Sequence, residues 1–190
     1  MSRETRIKVY GLLLALATFC IPVAPSRSAP PAECATGTTS EVPESIRQSV
    51  DDENGITWYT DKSTPERFNE DAFYLYIGRK SCDVWLRLRI QYVSEKTITV
   101  VRLQIKADGK PFELSEPRFK RDSNGKLTWQ WLDEPVSADH LLMLFTVAGS
   151  KDAVLRFLGA NRTDERTIGE AEKAALKAVL STYRALGGQL

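Results

Sequence analysis

The sequence predicts an α+β domain, in which hairpins form an antiparallel β-sheet or sandwich and a short helix and a C-terminal helix pack on it. Three observations support this fold class. Val84–Tyr92 alternates apolar with polar residues, Asp108-Gly109 is a strong two-residue turn signal, and 168–186 carries apolar residues at helical spacing. Strands joined by hairpins and followed by helices are typical of an α+β fold.

The first 28 residues are predicted to be a cleaved secretory signal peptide. A basic segment precedes an apolar run over 9–21, and Ser26 and Ser28 stand where a cleavage site needs small residues. The run is shorter than the roughly 20 residues of a spanning helix, so the mature chain is expected to have no transmembrane segment. Cys20 does not indicate a lipoprotein, because Phe19 occupies a position that such sites reserve for a small residue.

Residues 29–50 are expected to be an exposed lead-in, and residues 51–190 a single α+β domain. Loss of residues 1–28 removes four basic residues and one acidic residue, so the net charge changes from +1 to −2. A nearly neutral chain gives no electrostatic reason to expect nucleic acid as a partner. The predicted location is the periplasm or the outside of the cell.

Two cysteines, Cys34 and Cys82, remain after removal of the signal peptide. Two cysteines in an oxidising compartment usually pair, so the sequence predicts a Cys34–Cys82 disulfide. This bridge would connect the lead-in to the start of the Val84 strand.

The first half of the domain is predicted to be mostly β. Ile56–Thr60 and Phe73–Ile77 read as strands, and Pro43–Val50 as a short helix. Alignment of Ile90 with Val101 makes Val84–Ile105 a hairpin with a four-residue loop, because apolar faces must coincide across paired strands.

Two further hairpins are predicted from turn signals. Asp108-Gly109 would pair Ile105 with Phe112 and Leu103 with Leu114. A three-residue loop, Ser123-Asn124-Gly125, would place Phe119 opposite Trp129.

The last third is predicted to contain two helices around one strand. Ser137 is the expected N-cap of a helix over Ala138–Ala148, and Ala153–Leu158 is expected to be a strand. Thr167 and Glu170 resemble a capping box that opens the C-terminal helix, and Gly187-Gly188 ends it. The short helix is expected to bury Leu141, Leu142, Leu144, Phe145 and Ala148.

About the last 50 residues resemble the endings of small exported proteobacterial proteins. The resemblance rests on Val154–Gly159 (VLRFLG), Asp164–Ile168 (DERTI) and the helical segment 172–188. It supports an envelope location. The group has no established activity, so the resemblance implies no catalytic residue.

Catalytic side chains are sparse in this sequence. His140 is the single histidine and falls in the first turn of the short helix, where a structural role is expected. There is no G-x-S-x-G motif and no glycine-rich phosphate loop. The sequence therefore predicts a protein that is not an enzyme, with no cofactor and no metal site.

The polar side of the predicted central hairpin is the main candidate for a binding surface. Arg89 would lie directly opposite Arg102, and like charges in that position are unfavourable. Either acidic side chains of the same chain or an anionic partner would offset the repulsion. Arg156, within an apolar strand, is a second candidate that either reaches solvent at a sheet edge or holds a buried carboxylate. The cationic platform consists of Trp85, Arg87, Arg89, Arg102, Gln104 and Lys106.

These observations predict an exported, non-catalytic binding or inhibitory module of the bacterial envelope that recognises a protein or an anionic component. One alternative is a carrier of small ligands or lipids, with a pocket lined by Phe145, Phe157 and Tyr183. A second alternative is a hydrolase, which would require His140 or a buried carboxylate in a polar cleft.

The predicted disulfide is testable by reduction. If Cys34 and Cys82 are bridged, reductant should lower the free energy of unfolding by about 4 kcal/mol, because the closed loop restricts the unfolded chain. Thermal melts with and without reductant measure this change, and identical melts would argue against the bridge.

Overall fold

The computed structural model describes residues 42–95, 98–114 and 117–190, which form two antiparallel sheets and two helices. The predicted class, antiparallel β-sheet with a short helix and a C-terminal helix, is confirmed in this outline. In chain order the elements are β1 (Ile46–Asp51), β2 (Ile56–Asp61), β3 (Ala72–Lys80), β4 (Asp83–Ser94), β5 (Val100–Ala107), β6 (Lys110–Leu114), β7 (Lys120–Ser123), β8 (Thr128–Pro135), α1 (Ala138–Gly149), β9 (Ala153–Gly159), β10 (Thr163–Thr167) and α2 (Glu170–Ala185).

The strands divide between a six-stranded sheet and a four-stranded sheet. The order across the first is β1-β2-β3-β4-β8-β7, and the order across the second is β10-β9-β5-β6. All neighbouring strands are antiparallel. The predicted strands at 56–60, 73–77 and 153–158 are confirmed as parts of β2, β3 and β9.

The predicted pairing of the Val84 strand with the strand ending at Ile105 is wrong. β4 pairs with β3 on one edge and with β8 on the other, whereas β5 belongs to the four-stranded sheet. Arg89 therefore lies opposite Tyr74 and Asp133, not opposite Arg102. The apolar alternation of β4 matches that of β3 and that of β5 equally well. A period of two therefore could not identify which of these strands pairs with β4.

The Asp108-Gly109 turn is confirmed, with Ile105 opposite Phe112 and Leu103 opposite Leu114. Asp108 (φ 46°) and Gly109 (φ 83°) both have the left-handed backbone that a type I′ turn requires.

The hairpin at Ser123 is confirmed in position but not in register. Its loop is one residue longer than predicted, and Trp129 lies opposite Asp122 instead of Phe119. Gly125 has the predicted left-handed backbone (φ 84°).

The predicted helix over Pro43–Val50 is also wrong, because Ile46–Asp51 forms the edge strand β1. Ile46 is buried in the core, and β1 pairs along its whole length with β2. The hydrogen bonds and burial that β2 provides outweigh the weak local preference of this segment for helix.

The signal peptide and Cys34 lie outside the described residues. Cys82 is exposed in the turn between β3 and β4. Because Cys34 is not among the described residues, the disulfide stays a prediction.

One core contains the apolar faces of both sheets and the inner sides of the helices. The inner side of β4 contributes Leu86, Leu88, Ile90 and Tyr92, and Tyr92 packs on Phe157 of β9 with 4.4 Å between ring centroids. The hydroxyl of Tyr92 donates to Asp164 of β10 at 2.5 Å. Burial and this bond raise the pKa of Tyr92 to about 12, so the phenol stays protonated and remains a donor at neutral pH.

Gln130 on β8 connects the two sheets through a buried amide. Its Nε2 donates to the carbonyl of Ile98 at 2.5 Å, and its Oε1 accepts from the backbone N–H of Val100 at 3.2 Å. Ile98 lies just before β5, and Val100 is the first residue of that strand. Gln130 thus provides hydrogen-bond partners for buried backbone groups at the point where the chain passes between the sheets.

The helix α1 begins as predicted, but only part of its predicted buried face is buried. Ser137 caps it together with His140, whose Nδ1 accepts from the Ser137 N–H at 3.2 Å. Leu144 and Ala148 are buried as predicted, together with Met143 and Val147, whereas Leu142 and Phe145 are 60% and 41% exposed. The prediction was wrong for these two residues because 141–145 is apolar throughout, and such a run does not define one side of a helix.

The helix α2 is confirmed, but its predicted capping box at Thr167 and Glu170 is wrong. Thr167 ends β10, and Glu172 caps the helix by accepting from the Gly169 N–H at 2.9 Å. The same carboxylate accepts from the N–H of Phe73 at 2.9 Å and holds Arg166 through two bonds of 2.7 and 2.9 Å. Gly187 ends the helix as predicted, with φ 93°. Within the described ranges, no helix combines the length and apolarity that a membrane crossing requires.

The Gln130 link is testable by substitution. Gln130→Leu keeps the volume but leaves the Ile98 carbonyl and the Val100 N–H buried without partners, which should cost about 2–4 kcal/mol of unfolding free energy. Gln48→Leu, at an exposed position of the edge strand β1, is the control and should change stability by less than about 0.5 kcal/mol. Urea titrations of both variants measure the difference, and equal stabilities would show that the link contributes little.

Candidate functional site

The residues of the predicted cationic platform lie on two separate surfaces. Trp85, Arg87 and Arg89 share one side of β4 in the six-stranded sheet, as alternation predicted. The residues on β5 in the four-stranded sheet are Arg102, Gln104 and Lys106. Arg156 lies opposite Gln104 on the neighbouring strand β9. The platform is therefore not one site, because its two strands are in different sheets.

The outer side of the six-stranded sheet, which we call the aromatic face, contains all four tryptophans of the chain. Cross-strand register places them with two tyrosines and the arginines of β4 on this side, away from the core. The aromatic rings are half-buried. The outer side of an antiparallel sheet is ordinarily polar, so this concentration of large aromatic side chains requires an explanation. The members are Trp58, Trp85, Trp129, Trp131, Tyr74 and Tyr76.

One end of the aromatic face is a cluster of three rings from β2, β3 and β4. The Trp58 ring meets Trp85 edge-on at 5.9 Å and Tyr76 at 5.5 Å. Gly78 lies opposite both tryptophans in the register, and a Cβ on Gly78 would overlap the Trp85 indole. The glycine therefore provides the space in which this indole packs on the sheet.

Asp133 on β8 neutralises the arginines of the aromatic face. Its carboxylate accepts from Arg87 Nε at 2.8 Å, from Arg89 Nη1 at 3.0 Å, and from the Tyr76 hydroxyl at 2.8 and 2.9 Å. All of these side chains are largely buried, with Asp133 18% and Arg89 11% exposed. One carboxylate thus serves two cations, which leaves a local excess of one positive charge.

The Tyr76 hydroxyl is held as a hydrogen-bond donor. Burial, and then the Asp133 carboxylate that it bonds, raise the pKa of Tyr76 well above the ordinary value for a tyrosine. Burial likewise raises the pKa of Tyr74. Both phenols are therefore neutral at physiological pH, and only Arg87, Arg89 and Asp133 contribute charge to the middle of this face.

The loop between β2 and β3, residues 62–71, covers part of the aromatic face. Phe68 stacks on Trp131 at 5.5 Å and lies 4.1 Å from the Arg89 guanidinium. Glu66 pairs with Arg47 at 2.6 Å. The Gln91 amide, oriented so that both of its ends are satisfied, accepts from Arg89 Nε at 3.1 Å and donates to two carbonyls of the loop.

Arg89 is buried beneath this loop as a result. Its Nη2 is one of two buried side-chain nitrogens or oxygens without a hydrogen-bond partner among the described residues. The open part of the aromatic face is the end formed by Trp58, Trp85, Tyr76 and the partly exposed Arg87.

The outer side of the four-stranded sheet, the mixed-charge face, carries the remaining predicted site residues. Arg156 donates to Glu165 at 2.6 Å and to Gln104 at 3.3 Å. Arg102 lies 3.8 Å from Glu113. These groups are about half exposed, and such surface pairs contribute little to stability. The buried carboxylate that was one predicted partner of Arg156 is not what it contacts, because the Glu165 side chain is 51% exposed.

His140 lines a cleft of about 500 Å³ between β6, the end of β8 and α1. Its Nε2 lies 3.4 Å from Glu134, whose pKa is raised by burial. Its Nδ1 accepts from the backbone of Ser137. Both ring nitrogens therefore face groups of the protein. Among the residues described, no three His, Cys, Asp or Glu side chains come together in a way that could hold a metal ion.

The three residues predicted to line a carrier pocket do not meet in one cavity. Phe157 is fully buried against Tyr92, and the Tyr183 hydroxyl reaches the carbonyl of Val84 at 3.5 Å. Phe145 borders a groove of about 340 Å³ between α1 and α2. The predicted pocket is thus wrong as a set, although one of its members lines a groove.

Several residues of the aromatic face were not predicted as site residues. Trp129 and Trp131 in β8, like Tyr74 and Tyr76 in β3, are two positions apart, and this spacing places each pair on one side of its strand. The signal was present in each strand separately. That these strands flank β4 follows only from the sheet order.

No known family model matches the chain, and no curated protein matches its sequence. The candidate site is therefore argued from its geometry.

The role of Asp133 is testable with a matched pair of substitutions. Asp133→Ala leaves two largely buried arginines without their anion and should cost about 3 kcal/mol of unfolding free energy. Glu165→Ala, which breaks the exposed pair with Arg156, should cost less than about 1 kcal/mol. Chemical denaturation measures both values. Similar losses for the two variants would contradict a central role for Asp133.

Proposed function

We propose that this protein is an exported, non-catalytic binding module that recognises a protein partner through its aromatic face. The observation that carries the proposal is the position of the four tryptophans, all on one outer sheet surface and all only partly buried. Large apolar surface on the outside of a domain typically marks an interaction site.

The residue types of the aromatic face favour a protein as the partner. Tryptophan, tyrosine and arginine dominate the binding energy of protein interfaces, because each buries a large area with few rotatable bonds and also offers a polar group. Trp58, Trp85, Tyr76 and Arg87 supply this combination at the open end of the face. Their rings already contact one another, so little side-chain freedom would be lost on binding.

The charge of the aromatic face argues against an anionic polymer as the partner. Arg87 and Arg89 share the Asp133 carboxylate, and the positive residues of the mixed-charge face lie on the other sheet. Polyanion binding depends on many uncompensated cations. The cationic platform predicted from sequence is thus better described as an aromatic surface with a small positive excess.

Export is proposed from the N-terminal sequence, where a basic segment and an apolar run precede small residues. The protein would then act in the periplasm or outside the cell, as the resemblance of its last 50 residues also suggests. A binding module in that location could inhibit or scaffold its partner without any catalytic group.

Site-specific photo-crosslinking in the producing cells tests the proposal. A photoreactive residue at Thr60, on the aromatic face, should form a discrete protein adduct, and the same residue at Lys106, on the mixed-charge face, should not. Trp58→Ser with Trp85→Ser should reduce the Thr60 adduct at least tenfold, because truncation of an interface hot spot costs about 2 kcal/mol or more.

Three further variants separate loss of binding from loss of folding. Gly78→Ala displaces the Trp85 indole without removing it and should also weaken the adduct, whereas Gly149→Ala, where a Cβ meets no atom within 4 Å, should not. Arg102→Ser with Arg156→Ser should leave the adduct unchanged. The proposal fails if the tryptophan variant keeps a native melt and a full adduct, or if only the mixed-charge variant loses it.

A further inference from the structure

A second surface, the α1–α2 groove, lies between the two helices, of which α2 packs against the core side of the six-stranded sheet and α1 packs against α2 and β5. Its volume is about 340 Å³, within the range of roughly 300–1,000 Å³ that is typical of small-molecule sites. Phe145, Ala148 and Leu180 provide its apolar surface, and Lys177, Ser181 and Arg184 provide its polar groups. The groove is separate from the aromatic face and independent of the function proposed for that face.

The apolar side of the groove is unusually exposed for a helix pair. Phe145, which lines the groove, is 41% exposed although the sequence predicted it to be buried. Leu142, one turn earlier on α1, borders the neighbouring His140 cleft and not this groove. A large aromatic side chain left exposed in a groove favours an apolar ligand that would remove it from water.

The charged residues that line the groove are all cationic. Lys177 and Arg184 are seven residues apart on α2, which separates them by about 10 Å along the helix axis. The Arg184 guanidinium lies 5.6 Å from the Phe145 ring centroid, so it stands at the edge of the apolar surface. Arginine binds carboxylates through paired hydrogen bonds. A ligand that fits this arrangement has an apolar chain and an anionic head.

We propose that the α1–α2 groove binds a fatty acid, with its chain along Phe145 and Leu180 and its carboxylate at Arg184 or Lys177. The size of the groove matches a single chain and not a protein, since stable protein interfaces need about 1,000 Å² or more of buried surface. The cations at both positions on α2 favour a carboxylate over a neutral or positively charged head.

Calorimetric titration of the full chain with three ligands of equal chain length tests this proposal. Decanoate should bind, while decyltrimethylammonium and decanol should bind at least tenfold more weakly, because neither offers a carboxylate. Octanoate should bind roughly tenfold more weakly than decanoate, since two methylene groups are lost from the apolar contact. Equal affinities for decanoate and decyltrimethylammonium would overturn the proposal.

Substitutions locate the site and separate its two contributions. Lys177→Gln with Arg184→Gln should weaken decanoate at least tenfold and leave decanol unchanged, and Phe145→Ser should weaken both. Arg102→Gln with Lys106→Gln removes the same number of cations from the mixed-charge face and should change nothing. Decanoate binding that survives the Lys177/Arg184 variant would overturn the assignment.

Vesicles of anionic phospholipid distinguish a fatty-acid site from a membrane-binding surface. The proposal expects monomeric decanoate to bind in the absence of vesicles and to do so with a stoichiometry of one. Binding to vesicles without binding to monomeric decanoate would overturn the proposal in favour of a membrane surface. A tryptophan variant of the aromatic face should retain decanoate binding, so failure of either proposal can be recognised separately.

Discussion

β4 is hydrogen-bonded along both of its edges, and the positions of most other elements follow from this pairing. β3 occupies one edge and β8 the other. Because no edge remains for β5, the chain passes after Ser94 into the four-stranded sheet, where β5 pairs with β6 and β9. The Gln130 amide satisfies backbone groups at this passage. The two sheets and both helices then share one core.

The same pairing decides the chemistry of the outer side of β4. Its arginines lie between β3, which supplies Tyr76, and β8, which supplies Asp133. Removal of both arginines would leave this carboxylate largely buried and uncompensated, so such a variant would lose stability as well as any partner. The Arg87 and Arg89 side chains are thus part of the fold, and Trp58 and Trp85 are the better probes of binding.

The two proposed sites use opposite sides of the six-stranded sheet. The aromatic face presents rings with little net charge, which suits a protein surface. The α1–α2 groove combines the exposed Phe145 ring with two cations, which suits one anionic chain. Each arrangement departs from the expected pattern of its element. The outer side of the sheet is aromatic instead of polar, and α1 leaves Leu142 and Phe145 in solvent.

The sequence by itself determined which residues share one side of β4 and of β5, the Asp108-Gly109 turn, and the positions of both helices. These features depend on contacts between residues close in the chain, and alternation or turn chemistry encodes them directly. The tertiary structure alone decided which strands are neighbours. Arg89 meets Asp133 across 44 residues of sequence, and any strand with one apolar side shows the same period of two. For that reason the prediction that Arg89 lies opposite Arg102 was wrong. The position of all four tryptophans on one face likewise became evident only from the sheet order.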